Sequence, residues 1–334
     1  MKRELYTKMK KTKKLKFSIE NAILIVSVFL LSLLISPYYT DGDQFIYRVV
    51  YEGLQGLNLK DGYAFYIFHL DSKEVIHFLL SWLATNQEID KDLFMAFSNA
   101  VLAFAAVGLM RKLNVSVWIM ALLLLTNFYF YVLYFAAERL KFGFIFLFFS
   151  LLYMKRFYIF TLLSIFSHVQ VIILYGSILF KVLFRQTVNL IIKLFSKGKI
   201  KKKSLIIISL LPIILFLIYF ALSGHLESKF QYYYEKAGHS LADLVRIFAF
   251  FILTLWYAKN KEEVVLIFIP LVFSVYLIGG ERINMMAYFV FLYYALPIRK
   301  GFNIGVLITS SYFLFLTYGF MVKIIEHGDG FYGY

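Results

Sequence analysis

Three arginines at the starts of apolar runs, Arg139, Arg246 and Arg282, are the residues of this chain best suited to chemistry. A guanidinium is planar, always charged, and binds phosphate oxygens two at a time. Three of them near one lipid-facing cleft suit a pyrophosphate. Glu138 and Glu281 stand directly before two of the arginines. A carboxylate there orients the arginine or accepts a proton from a sugar hydroxyl. His168, in a segment with no other ionisable residue, is a candidate general base or phosphate donor. Asp41 and Asp43 flank Gly42, and Asp43 is a further candidate base. Tyr233, within a run of three tyrosines, offers a platform for a sugar ring, and His239 follows on the same stretch.

Each of these residues also has a plainer role. A Glu-Arg pair at a helix start serves as an interfacial anchor, with its carboxylate placed favourably against the helix dipole. His168 fits a polar residue at a helix end, and Tyr233 an aromatic belt. His239 reads as an exposed loop histidine, and Asp41 and Asp43 as turn residues around Gly42. Other chemistries lack their residues. The sequence has no glycine-rich phosphate loop ending in Lys-Ser or Lys-Thr, no histidine pair at helical metal-ligand spacing, and no cysteine. No metal or other cofactor is expected, because Asp41 and Asp43 alone are too unspecific a pair to hold one.

The elements that must position these groups are membrane helices. Of the 334 residues, 61% are hydrophobic and 16% charged, against about 25% charged in an ordinary soluble domain. Apolar runs near 20 residues long recur from position 22 to position 322. The net charge of +15 comes from Lys and Arg in short loops beside those runs. That is the pattern of cytoplasmic loops, and it argues against a nucleic-acid surface. The expected fold is all-α: one polytopic domain over residues 1–334 with about 11 transmembrane helices, 10 to 12.

Residues 1–20 are expected to form a basic cytoplasmic N-terminus. The first helix is expected to stay uncleaved, because Ser36-Pro37-Tyr38-Tyr39 does not fit a signal-peptide cleavage site. Residues 37–91 read as an acid-rich periplasmic loop, with amphipathic interfacial helices over 44–57 and 73–84. Crossings are expected over 93–110, 115–135, 139–154, 205–222, 241–258, 264–278, 283–296 and 302–322. Residues 157–184 are basic at both flanks. They read as a tight pair of short helices with its tip near His168, or equally as a re-entrant hairpin. Residues 185–203 read as a cytoplasmic basic loop that sets topology and touches lipid headgroups. Residues 223–240 read as a second periplasmic loop. In this topology the costly charges gather at the outer face.

Four stretches give this pattern a family likeness. They are Asp41-Gly42-Asp43-Gln44-Phe45-Ile46-Tyr47, Glu138-Arg139-Leu140-Lys141-Phe142-Gly143, Phe166-Ser167-His168-Val169-Gln170-Val171-Ile172 and Glu281-Arg282-Ile283-Asn284-Met285-Met286-Ala287-Tyr288-Phe289. The chain resembles the Wzy-type O-antigen and capsular polysaccharide polymerases, in particular the EpsG-like branch, over residues 25–297. It departs from them in two places. Gln170 and Val171 stand where Ser and Ala are commoner after the histidine, and Arg139-Leu140 replaces Arg-Gln. The resemblance implies an inverting-type membrane glycosyltransferase in the bacterial inner membrane. It would transfer a growing glycan from undecaprenyl pyrophosphate to a new lipid-linked repeat unit at the periplasmic face. Its partners would be the undecaprenyl-pyrophosphate-linked glycan, the bilayer and a chain-length regulator protein, with no nucleic acid. An O-antigen ligase, or a flippase for lipid-linked oligosaccharide, is the alternative. A ligase usually carries a larger late loop than residues 223–240, and a flippase would line a mid-membrane cavity with its charges.

Overall fold

The structure, a computed structural model, describes residues 18–197 and 241–333. All regular structure among these residues is helical. The expected crossing over 205–222 and the whole of the expected loop over 223–240, including Tyr233 and His239, lie outside the described residues. The chain divides into two units, Met1–Val171 with Leu296–Tyr334, and Ile172–Ala295.

In the first unit, α1 (Ile19–Ile35) packs on α5 (Lys91–Lys112). The two run antiparallel: Asn99 Nδ2 donates to Ser32 Oγ at 2.9 Å, and Arg111 Nε donates to Asn21 Oδ1 at 2.8 Å. The buried face of α1 carries the polar Asn21 and Ser32, while Ile19, Ile23, Val26, Leu30 and Leu34 are exposed. An apolar outside over a partly polar inside is what a lipid-facing helix needs. On α5 the buried residues include Ala96, Ala103, Ala105, Ala106 and Gly108, and such small side chains let helices approach closely.

Among the described residues four helices are long and apolar enough to cross a membrane, or up to six if each of two bent pairs is one span. The chain is therefore a membrane protein by length and composition of its helices. The first bent pair differs from the single crossing expected over 115–135. Here α6 (Val117–Thr126) stops at Asn127, and α7 (Phe128–Tyr131) continues through a π-helical turn (Val132–Ala136), bent by 57°. Asn127 has an extended backbone, and its side chain caps α7 by accepting from the Tyr129 and Phe130 N–H groups. The break follows from this local competition by a short amide side chain.

The second bent pair joins α8 (Glu138–Leu152) to α9 (Phe157–Ser167) through the 3-10 turn Met154–Arg156, with a bend of 115°. A break at His168–Gln170 follows, and α10 (Val171–Lys197) begins. This break falls where the tip was expected, and α9 has only 11 residues. The second arm does not end at 184: α10 has 27 residues. Its charges do not end it, because Lys181 pairs with Glu263 at 2.9 Å and Arg185 with Glu262 at 3.4 Å, both within the second unit. Gly143 marks the close approach of α8 and the His168 break. A Cβ there would meet Val171 Cγ2 at 2.7 Å, and Ser164 Oγ donates to its carbonyl at 2.7 Å.

Between α1 and α5 the sequence pattern predicts two amphipathic helices, and there are three. They are α2 (Asp43–Gly53), α3 (Leu59–Leu70) and α4 (Val75–Asn86). The unforeseen α3 starts where Asn58 accepts from the Lys60 and Asp61 N–H groups. Val50, Leu54, Tyr66 and Phe78 bind the three helices into a small core of their own. In the second unit, α11 (Leu241–Tyr257), α12 (Lys261–Ile278) and α13 (Glu281–Ala295) pack together, α11 against both others. The last helix, α14 (Ile304–His327), belongs to the first unit and ends at Gly328, whose carbonyl accepts from the Thr40 and Asp41 N–H groups.

Gly143→Leu is expected to overpack the α8 contact at a cost of about 1–3 kcal/mol. A thermal melt of the purified protein in detergent checks this. An unchanged midpoint would mean that the helices part without penalty.

Candidate functional site

The first turn of α8 carries three ionic groups in four residues: Glu138, Arg139 and Lys141. Glu138 has no exposed surface. Its two oxygens accept from Lys91 Nζ at 2.6 and 2.7 Å, and one also meets His77 Nε2 at 3.1 Å. The carboxylate can only accept, so His77 Nε2 carries the proton and Nδ1 accepts from the Tyr66 hydroxyl at 2.9 Å. Burial holds the His77 pKa below its ordinary value, against the pull of Glu138. One turn on, Lys141 Nζ donates to Asn99 Oδ1 at 2.7 Å and to the Tyr134 carbonyl at 3.3 Å.

Arg139 turns the other way. Its Nη1 meets Glu74 Oε2 at 2.9 Å, and its Nε donates to the Tyr47 hydroxyl at 3.0 Å. Glu74 also accepts from Ser72 Oγ at 2.8 Å, and its other oxygen accepts from His168 Nδ1. The second ring nitrogen of His168 lies 3.1 Å from Gln170 Oε1. Residue 74 thus ties an arginine on α8 to a histidine at the break between α9 and α10. Burial pushes the Glu74 carboxyl up. His168 and Arg139 outweigh it and hold the group below the usual carboxylate range.

The structure joins Arg139 and His168 in the first unit through Glu74, while Glu138, next to Arg139 in the chain, bonds a separate pair, Lys91 and His77. Asp43 is exposed in the first turn of α2 and is not among the groups they bond. Arg246, Glu281 and Arg282 lie in the second unit. There Arg246 is partly exposed and pairs with Asp243 at 3.3 Å, and Asp243 also accepts from Asn284 at 3.2 Å. Glu281 is exposed at the opening of α13, and Arg282 beside it is half-buried. Among the described residues no group of three or more acidic or histidine side chains has a metal-holding arrangement.

Sequence reading missed Lys91, His77, Glu74, Tyr47 and Asn99 as partners of the site. Glu74 and His77 read as ordinary polar residues of an amphipathic segment. Their spacing of three does place them on one helical side, which was the available signal. Lys91 looked like the end of a loop, yet it is 6% exposed. The chain matches no family model, no curated protein and no solved structure.

Two outcomes follow. Glu138→Ala leaves Lys91 as a buried unpaired cation and is expected to cost about 3–5 kcal/mol. The double variant Lys91→Met/Glu138→Leu should cost less than the single one, as read from thermal melts. Glu74 has a folded pKa below its ordinary 4.5. Its contribution to stability is therefore complete above that value and is lost as pH falls below it. Glu74→Gln should lower stability near neutral pH and flatten the acid limb of the melting profile. An acid limb as steep as that of the parent protein would exclude this role.

Proposed function

We propose that the chain is an inverting-type membrane glycosyltransferase that polymerises undecaprenyl-pyrophosphate-linked repeat units into O-antigen or capsular polysaccharide. The single observation that carries this reading is the His168–Glu74–Arg139 arrangement. It sets a histidine oriented by a carboxylate beside an arginine held at the same carboxylate. A base and a phosphate-binding cation within one hydrogen-bonded group are what the reaction asks for.

In the proposed step, the Gln170 amide turns away from the ring, and His168, with its one proton on the Nδ1 that faces Glu74, takes the proton of the acceptor sugar hydroxyl on the lone pair of Nε2. The hydroxyl oxygen forms the new bond to the anomeric carbon of the donor. The bond from that carbon to the pyrophosphate oxygen breaks, and the polyprenyl pyrophosphate leaves with the electron pair. Arg139 balances the charge that develops on the leaving oxygen. Glu138 is a positioning residue: clamped by Lys91 and His77, it fixes the first turn of α8 and so the place of Arg139. Arg246 and Arg282 of the second unit keep the pyrophosphate-binding role that their type suggests, with Glu281 to orient the arginine after it. Tyr233 and His239 keep the role of glycan contacts, and Asp43 that of a second candidate base.

The same reading places the protein in the bacterial inner membrane with its N-terminus cytoplasmic, about 11 crossings in all, and the site at the periplasmic face. Arg139→Ala and His168→Ala, each introduced into cells that lack their own copy, are expected to leave glycans of a single repeat unit on the lipid carrier. Gel profiles of the extracted glycan report the outcome, with membrane levels of each variant matched to the parent protein. Chains of parental length and amount from both variants would end this assignment.

A further inference from the structure

We propose that Arg139 and His168 form a cage for a phosphate or pyrophosphate group, and that Glu74 is a built-in stand-in for that anion, displaced when the group arrives. The choice of pyrophosphate rests on the polymerase reading; the cage itself rests on geometry.

Three donors from separate places converge on one carboxylate. Arg139 Nη1 comes from α8, His168 Nδ1 from the break before α10, and Ser72 Oγ from the connection between α3 and α4. Arginine and histidine together select an oxyanion, and a carboxylate fills the place with two of the oxygens a phosphate would offer.

The occupant sits where it can leave. Residues 71–74 are non-helical, and Asp71 has a left-handed backbone with φ 44°. Exposure alternates along the segment: Asp71 and Lys73 face out, while Ser72 and Glu74 are buried. Withdrawal is therefore a swing of the Glu74 side chain, while its carbonyl stays as acceptor of the Phe78 N–H at 3.1 Å at the start of α4. The Glu138 pair is built differently. That carboxylate belongs to α8 and has no exposure, and its partner Lys91 is 6% exposed. Arg139 keeps 17% of its side-chain surface exposed, whereas Glu138 keeps none.

Charge favours exchange over simple removal. Taking Glu74 out alone would leave Arg139 uncompensated in a largely buried place, which is costly. Replacing one anion by another keeps the cation neutralised throughout, and a phosphate oxygen takes over from Glu74 as the acceptor that orients His168 through Nδ1. Arrival of the phosphate group thus loosens the α3–α4 connection at the moment the substrate is bound, and the three-helix excursion gains freedom only in the loaded protein.

The absence of cysteine in the sequence makes the test direct. Lys73→Cys, carrying a nitroxide spin label, is prepared as the full chain in detergent micelles. Inorganic pyrophosphate, and separately farnesyl pyrophosphate, is titrated in. The label is expected to become more mobile in a saturating manner, and Arg139→Ala should abolish the response. Glu74→Gln should lower the concentration needed by at least tenfold. A response to inorganic pyrophosphate assigns the cage to the phosphate group alone, and a response only to farnesyl pyrophosphate assigns it to a lipid-borne one. A label unmoved by both overturns the proposal, and that arm needs no change to the cage. A response that survives Arg139→Ala overturns it as well. Glycan profiles in cells are a separate readout. Lengthening that depends on His168, in a protein whose label never moves, removes the stand-in and keeps the polymerase. A moving label in a protein that lengthens no glycan does the reverse.

Discussion

Glu138 has no contact with solvent, and a carboxylate in that position must be neutralised by groups brought to it. Lys91 comes from the first residue of α5, and His77 from the first turn of α4. Meeting at one pair of oxygens, they fix the register of three helices at once. The excursion of α2, α3 and α4 is held to the core through this point and through Gln44, whose amide donates to the Phe135 carbonyl at 2.6 Å. With the first turn of α8 fixed, neighbouring side chains fall into place: Arg139 reaches Glu74, and Lys141 reaches Asn99. The ionic groups of this turn are thus an assembled set.

Much of the helical layout was legible because apolar runs and basic flanks report directly on burial in lipid. The observed α5, α11, α12 and α14 start and stop within a few residues of the expected positions. What the sequence could not give were breaks decided by single side chains. Asn127 ends α6 by capping the next helix, inside an apolar run that reads as one crossing. Arg185 reads as the end of a helix but is carried inside one, since Glu262 compensates it from another element. The same limit applies to the site. Glu138, Arg139 and His168 were singled out by charge at a costly place. Their partners were not, because Glu74, His77 and Lys91 sit in a polar stretch where charges are common. Partnership across 47 to 94 residues of chain is a property of the fold, invisible to local pattern.

The two carboxylates divide the labour between rigidity and change. Glu138 is enclosed on an α-helix, and Glu74 stands at the end of an irregular connection. A site that binds and releases a large lipid-linked substrate needs both: a fixed frame that keeps the arginine in place, and a movable edge that lets the substrate in. The small core of Val50, Leu54, Tyr66 and Phe78 keeps the excursion folded while that edge moves.

The polar face of α1 has a bearing on how the chain is made. Ser32 is joined by Asn99, which lies 67 residues further on. At about 5–20 residues per second, synthesis of that interval takes roughly 3–13 s. During this time α1 holds Asn21 and Ser32 without the helix that covers them. It is long and apolar enough to enter the bilayer by itself, yet its neighbour arrives late. In that interval the Ser32 hydroxyl is already satisfied inside α1, donating to the Val28 carbonyl at 2.7 Å, so the helix enters the bilayer with that group paired and meets Asn99 when α5 arrives.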